Sequence, residues 1–421
     1  MRLPLLHLTW ASLRNRGLAS VLTLIAIALS VTLLLGVERL RNDARAGFAS
    51  TLSGTDLIVG ARSGPVPLLL YSVFHIGDAT ANVRWSSIEA LQGNRAIDWV
   101  VPLSLGDSHK GYRVVGTTAG FFAHYQYGDH QPLVFAQGAA FDGIFDAVIG
   151  AEVAQRLGYS TGSRIVLSHG AGEFSGAEHG DKPFTVTGVL APTGTPVDRA
   201  VLVGLGAIEA IHLDWQGGAH MPGMQIPPQF VQKFDLTPKS VTAALVGLKQ
   251  RTAVFRVQRE INGFEGEPLQ AILPGVTLDQ LWRVVGMAER VLLAVSAFVV
   301  LVGLAGLVAM MVGALSARRR ELAILRAMGA GPRDVFILLL SESVLLSLAG
   351  CMIGVLLLWL GSIALAPWLA AHQGLQLVPR LIDLRECVLL AGVIGAASLA
   401  SLVPAWRAYR YSLADGMTVR L

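Results

Sequence analysis

Arg318-Arg319-Arg320-Glu321-Leu322-Ala323-Ile324-Leu325-Arg326-Ala327-Met328-Gly329-Ala330 is the stretch on which the reading of this chain turns, because it separates two long apolar runs. Three arginines directly after an apolar run mark a loop that stays on the cytosolic side of a membrane. Leu322, Leu325 and Met328 then recur at helical spacing, which predicts a short amphipathic helix stopped by Gly329 and Ala330. A helix of that kind at a membrane face lies on lipid or docks into a partner protein.

The rest of the chain agrees with a membrane setting. Of its 421 residues, 53% are hydrophobic and 15% charged, whereas a soluble domain has about a quarter charged residues. Runs that satisfy the roughly 17 to 25 apolar residues of a crossing fall in residues 18–37, 291–315, 335–365 and 387–406. The third contains Glu342, so a tilted or protruding helix fits it best. Arg2, Arg14 and Arg16 precede the first run, Arg318, Arg319, Arg320, Arg326 and Arg333 fill the loop 316–334, and Arg407, Arg410 and Arg420 end the chain. The connection 366–386 carries only Arg380 and Arg385. By the positive-inside rule the amphipathic segment 1–17, the loop 316–334 and the tail 407–421 are cytosolic, and 38–290 and 366–386 lie outside. The expected architecture is an α-helical membrane domain of four transmembrane helices, with a large extracytoplasmic α+β domain inserted between helices 1 and 2.

The net charge of +4 is this topology signal and gives no case for nucleic acid. The two cysteines, Cys351 and Cys387, fall in or beside membrane runs, so no disulfide staples the outer domain. Leu33, Val37, Leu40, Ala44 and Phe48 extend the first helix outward as a stalk, and Leu278, Leu281, Trp282 and Val285 form a matching stalk that leads back in. Between them, strands are expected at Asp56–Val59, Arg113–Gly116, Ala147–Ile149, Arg164–Leu167, Phe184–Val189 and Val241–Leu248. Helices are expected at Ser86–Leu91, Ala151–Leu157, Ala207–His212 and Thr252–Ile261, with surface loops at His169–Lys182 and Gly217–Gln229.

An ATP-driven machine needs a phosphate cradle of the form Gly-x-x-x-x-Gly-Lys-Ser/Thr, and the sequence has none. The arginine loop, with Arg318-Arg319, then Glu321-Leu322, Leu325-Arg326-Ala327 and Gly329-Ala330, resembles the MacB, LolC and FtsX permeases. Ala11-Ser12-Leu13-Arg14-Asn15-Arg16, Val148-Ile149-Gly150-Ala151-Glu152-Val153-Ala154, Phe184-Thr185-Val186-Thr187-Gly188-Val189 and Pro404-Ala405-Trp406-Arg407-Ala408 are similar to further parts of that family. Leu413 and Asp415 stand where the family commonly has proline and glutamate, and Gly60 to Gly143 has no match.

The resemblance implies the permease subunit of an ABC complex in the inner membrane of a bacterium, itself without catalytic residues or cofactor. ATP and Mg²⁺ are then bound by a separate ATPase subunit. A second permease copy, identical or different, and an extracytoplasmic partner protein complete the expected assembly. The work implied is export, efflux or lipoprotein and peptide handling; the alternative is an FtsX-like regulator of a cell-wall hydrolase. The residues expected to grip the ATPase are Arg318, Arg319, Arg320, Glu321, Leu322, Leu325, Arg326, Met328, Gly329 and Ala330.

Three further candidates stand apart from that loop. Gly350 and Gly354 have the small-x-x-x-small spacing of close helix packing. Leu68, Leu69, Leu70, Tyr71 and Phe74 form a run that packs a core or meets a substrate, partner or membrane surface. The exported histidines read chiefly as scattered surface residues. His124, Asp129 and His130, or His169 and His179, are the candidates for a metal and for a lower-ranked metal-linked transport, although no His-x-x-x-His or Cys-x-x-Cys spacing supports them.

Overall fold

The computed structural model describes residues 17–170, 179–216, 219–220, 226–317, 324, 329–373, 380 and 382–410. They divide into two units, Met1–Ala44 with Gly286–Leu421, and Arg45–Val285.

Among the described residues, four helices are long and apolar enough to cross a membrane. They are Gly17–Ser50, Pro274–Ala317, Pro332–Gln373 and Leu384–Arg410. The first and second run well past their apolar stretches, the first to Ser50 and the second from Pro274. Gly331 opens the third, and its amide donates to Asp334 Oδ2 at 2.8 Å, a side chain reaching back to a free helix-end amide. Leu304, Leu307, Met311, Leu315, Val335, Leu339, Ala397 and Ala405 join the second, third and fourth helices in one core. Ile27, Val31 and Leu35 of the first helix pack with Cys351 and Val393 in another. Leu22, Leu29, Phe298, Leu301, Met352, Leu356 and Leu399 remain exposed, as suits helices whose outer faces meet hydrocarbon.

The other unit is built on one mixed sheet of eleven strands. In chain order these are β1 (Leu57–Ala61), β2 (Ile97–His109), β3 (Tyr112–Thr117), β4 (Phe135–Gly138), β5 (Asp146–Ile149), β6 (Arg164–Ile165), β7 (Ser168–His169), β8 (Phe184–Leu190), β9 (Ala200–Gly204), β10 (Ala243–Leu248) and β11 (Leu269–Ile272). The spatial order is β11-β1-β10-β2-β3-β9-β5-β8-β4, with β7 beside β2 and β6 beside β8. The β3–β9 and β5–β8 pairs are parallel, and the other pairs are antiparallel.

Both faces of this sheet are covered. Along β9, Ala200 and Leu202 enter one core while Val201 and Val203 enter another, and β5 divides Val148 from Ala147 and Ile149 in the same way. Strands buried on two faces read as unbroken apolar runs. The helix Val254–Asn262 is amphipathic: Val257 and Ile261, one turn apart, are both buried.

Three expectations change. The run at Leu68 is a helix, Pro65–Val73, begun by proline at its first turn, where a missing N–H costs nothing. Strands β2, β4, β7, β9 and β11 add to those expected. The segment His169–Lys182 is not wholly a surface loop, since His179 and Lys182 are fully buried; residues 171–178, which precede them, lie outside the described part.

Candidate functional site

The coupling residues Arg318, Arg319, Arg320, Glu321, Leu322, Leu325, Arg326 and Met328 lie outside the described residues, as do 1–16, 374–379, 381 and 411–421. At the loop's end Gly329 takes a left-handed backbone (φ 97°) and Ala330 is half-buried.

Gly350 and Gly354 stand against the first helix. A Cβ on Gly350 would lie 2.6 Å from Ile27 Cγ2, and one on Gly354 would lie 2.8 Å from the Ala28 carbonyl oxygen. Thr32 Oγ1 donates to the Gly354 carbonyl at 3.0 Å, which the same close approach permits. Glu342 is buried within the membrane unit.

A pair that sequence reasoning missed joins the first and fourth helices. Arg39 Nε and Nη2 donate to Glu386 Oε1 and Oε2 at 2.7 and 2.9 Å, a two-pronged contact with both side chains buried. Arg380 Nη1 lies 3.3 Å from Asp43 Oδ1 nearby. Counting Lys and Arg for orientation disregards acids, so Glu386 carried no weight in the sequence.

In the outer unit, Leu68, Leu69 and Tyr71 belong to the core that also holds Ile58, Val101 and Leu245, and Phe74 packs against it. They are not a free contact surface: β1 and β10 cover them, and Leu70 is half-buried. Phe74 also meets Phe48 with ring centroids 4.4 Å apart, and Phe48 meets Trp282 at 5.6 Å. Arg45 sits over the Trp282 ring at 5.4 Å. The outer ends of the two stalks are thereby joined within this unit.

The histidine candidates separate. His124 stacks on Trp99 at 4.7 Å and His130 Nδ1 is 3.0 Å from Gln126 Oε1, with Asp129 exposed, and they form no ligand cluster among the described residues. His169 and His179 do converge, together with Asp107 and His212, which the sequence did not single out; their ligand atoms all lie within 4.8 Å of one another.

Three pieces of local structure bring them there. Asp107 lies within a register irregularity between Leu105 and Ser108 in β2, a device that re-aims side chains. His169 is its direct partner on β7. His212 ends the helix Leu205–His212. His169 Nδ1 is 3.1 Å from Asp107 Oδ1, and His212 Nε2 is 3.2 Å from His169 Nδ1 and 3.9 Å from Asp107 Oδ1.

His179 is held by its amide donating to the Leu167 carbonyl at 2.9 Å and by its ring against Trp215, centroids 4.4 Å apart. Burial, with His212 adjacent, pushes the His179 imidazole down to about 4. Burial pushes the Asp107 carboxyl up, while His212 and His169 draw it back. Beside them Lys182 Nζ, fully buried, donates to Asp214 Oδ1 at 2.5 Å, and its amide donates to the His179 carbonyl at 3.1 Å.

The profile of the MacB-like periplasmic core domain matches residues 20–263, more than half of the chain, and that of the FtsX-like permease C-terminal domain matches residues 293–413. The chain belongs to the MacB- and FtsX-like family of ABC-transporter permeases. It is a multi-pass membrane protein whose α+β domain is extracytoplasmic. The periplasmic region of MacB from Actinobacillus actinomycetemcomitans is similar at 11% identity and a TM-score of 0.33, over 55% of this chain and 94% of that one. The extracellular domain of the noncanonic ABC-type transporter YknZ from Gram-positive bacteria is similar at 14% identity and a TM-score of 0.29, over 52% and 99%. No curated protein matches the chain.

Proposed function

We propose that this chain is the permease subunit of an ABC complex in which a separate ATPase binds ATP and Mg²⁺, grips the loop 316–334 and drives movement of the extracytoplasmic domain. The observation that carries this is the family match across 293–413, which includes the arginine loop between the second and third membrane helices. Glu321 and Arg326 give that loop charged contacts, and Leu322, Leu325 and Met328 give it an apolar stripe to seat in a groove. Both termini are cytosolic in this reading, and two permease copies pair with two ATPase subunits in a bacterial plasma membrane.

The joined stalk ends support a mechanical role. Because Phe48, Phe74 and Trp282 pack together in the outer unit, the chain's two connections to the membrane enter it at one place. Displacement of either connection then acts on the same part of the domain. The cargo class under this reading is an exported or membrane-extracted molecule, such as a peptide or lipoprotein.

Co-purification from the native membrane followed by mass spectrometry tests the subunit arrangement. An ATP-binding-cassette protein at a ratio near one per permease is the expected result. Isolation of the permease with no such protein, in a detergent that preserves other ABC complexes, would overturn it.

A further inference from the structure

We infer that Asp107, His169, His179 and His212 form a binding site for a divalent transition-metal ion of the zinc class in the extracytoplasmic domain. The inference stands apart from the coupling role and uses none of its residues.

The spacing of the donor atoms comes first. Around a tetrahedral zinc with bonds of roughly 2.0 to 2.1 Å, neighbouring ligand atoms lie about 3.3 Å apart. The triangle of Asp107 Oδ1, His169 Nδ1 and His212 Nε2 has edges of 3.1, 3.2 and 3.9 Å. With a His179 nitrogen as the fourth corner, the whole set stays within 4.8 Å.

The ring protons leave unmatched lone pairs facing one another. His212 Nδ1 donates to the Ile208 carbonyl at 2.6 Å, so in the neutral ring Nε2 presents its lone pair to the cluster. His169 Nδ1 holds one proton at most, yet it faces both that lone pair and the Asp107 carboxylate. His179 is fully buried, and neither ring nitrogen has a hydrogen-bond partner among the described residues. Buried polar atoms without partners are rare and call for an explanation. One cation takes up the lone pairs of all three rings and offsets the buried charge of Asp107, whose exposure is 3%.

Donor chemistry selects the ion. Three imidazoles and one carboxylate suit zinc, copper or nickel, and they do not suit calcium or magnesium, which take oxygen ligands. Four protein ligands leave no open position, the pattern of a holding site rather than a hydrolytic one. The Ile208 carbonyl orients His212 in the manner of an outer-shell partner. His169, with nearly half of its side chain exposed, is the face through which an ion enters.

The test uses the full-length protein in detergent, stripped with a chelator, desalted and titrated with Zn²⁺ by calorimetry, with Co²⁺ as a spectroscopic substitute. One ion per chain is expected, and Co²⁺ should give the intense visible bands of a tetrahedral site. His169→Ala and His212→Gln should each weaken binding by about tenfold or more, since loss even of an outer-shell partner costs about 10- to 100-fold. Far-ultraviolet circular dichroism checks that both variants stay folded. Absence of a bound ion, or an ion whose affinity both folded variants leave unchanged, would overturn the site and leave a plain hydrogen-bonded histidine cluster.

Discussion

The two units place apolar and charged groups in opposite ways. In the outer unit Leu57, Ile58, Val148 and Leu202 are fully buried between sheet and helices. In the membrane unit Leu22, Phe298, Met352 and Leu399 face outward, and the interior holds Ser30, Ser296, Ser343 and Ser347. Water drives the first arrangement by expelling apolar surface. Lipid gives no such drive, so small residues and interior hydrogen bonds hold the second. Among the described residues each unit nevertheless hides a well-formed ion pair that ties remote segments: Lys182–Asp214 in the outer unit and Arg39–Glu386 in the membrane unit. Such pairs matter most when one partner is lost.

Substitutions in each unit break or sharpen this contrast. Lys182→Met and Glu386→Ala each strand a buried charge and should cost about 3–5 kcal/mol. Unfolding of the full protein in detergent measures this, and adding Asp214→Leu to Lys182→Met should restore most of that loss. Next, Leu202→Ala opens a cavity in a water-driven core and should cost about 2–5 kcal/mol. Leu356→Ala, on an exposed face of the third helix, should stay within about 0.5 kcal/mol in the same assay. Gly354→Ala, whose new methyl meets the Ala28 carbonyl and Val31, should fall between these two at about 1–3 kcal/mol, read as lowered thermal stability.

What the sequence disclosed follows the same physics. The four crossings stood out because lipid demands long apolar runs, and β5 and β8 stood out because their β-branched runs sit between glycines. Strand β9 was hidden: Ala200-Val201-Leu202-Val203 has no alternation, since both of its faces are buried. Helix Pro65–Val73 was hidden for a related reason, being apolar on most sides. His169 and His179 were visible as candidates, but Asp107 and His212 reach them only through the β2–β7 register and the end of a helix. Arg39 and Glu386 flank apolar runs, where charges are read for topology and their pairing across the chain leaves no local pattern.

The central claim is that the loop 316–334 couples this permease to an ATPase, and the stimulation of that ATPase by the permease tests it most directly. In reconstituted complexes Leu325→Asp should lower stimulated ATP hydrolysis about tenfold or more. A carboxylate forced into an apolar groove costs well over the roughly 1.4 kcal/mol that a tenfold change represents. Glu321→Ala should lower it by a smaller factor, with the permease still folded and inserted. Full stimulation and full assembly in both variants would contradict the coupling role.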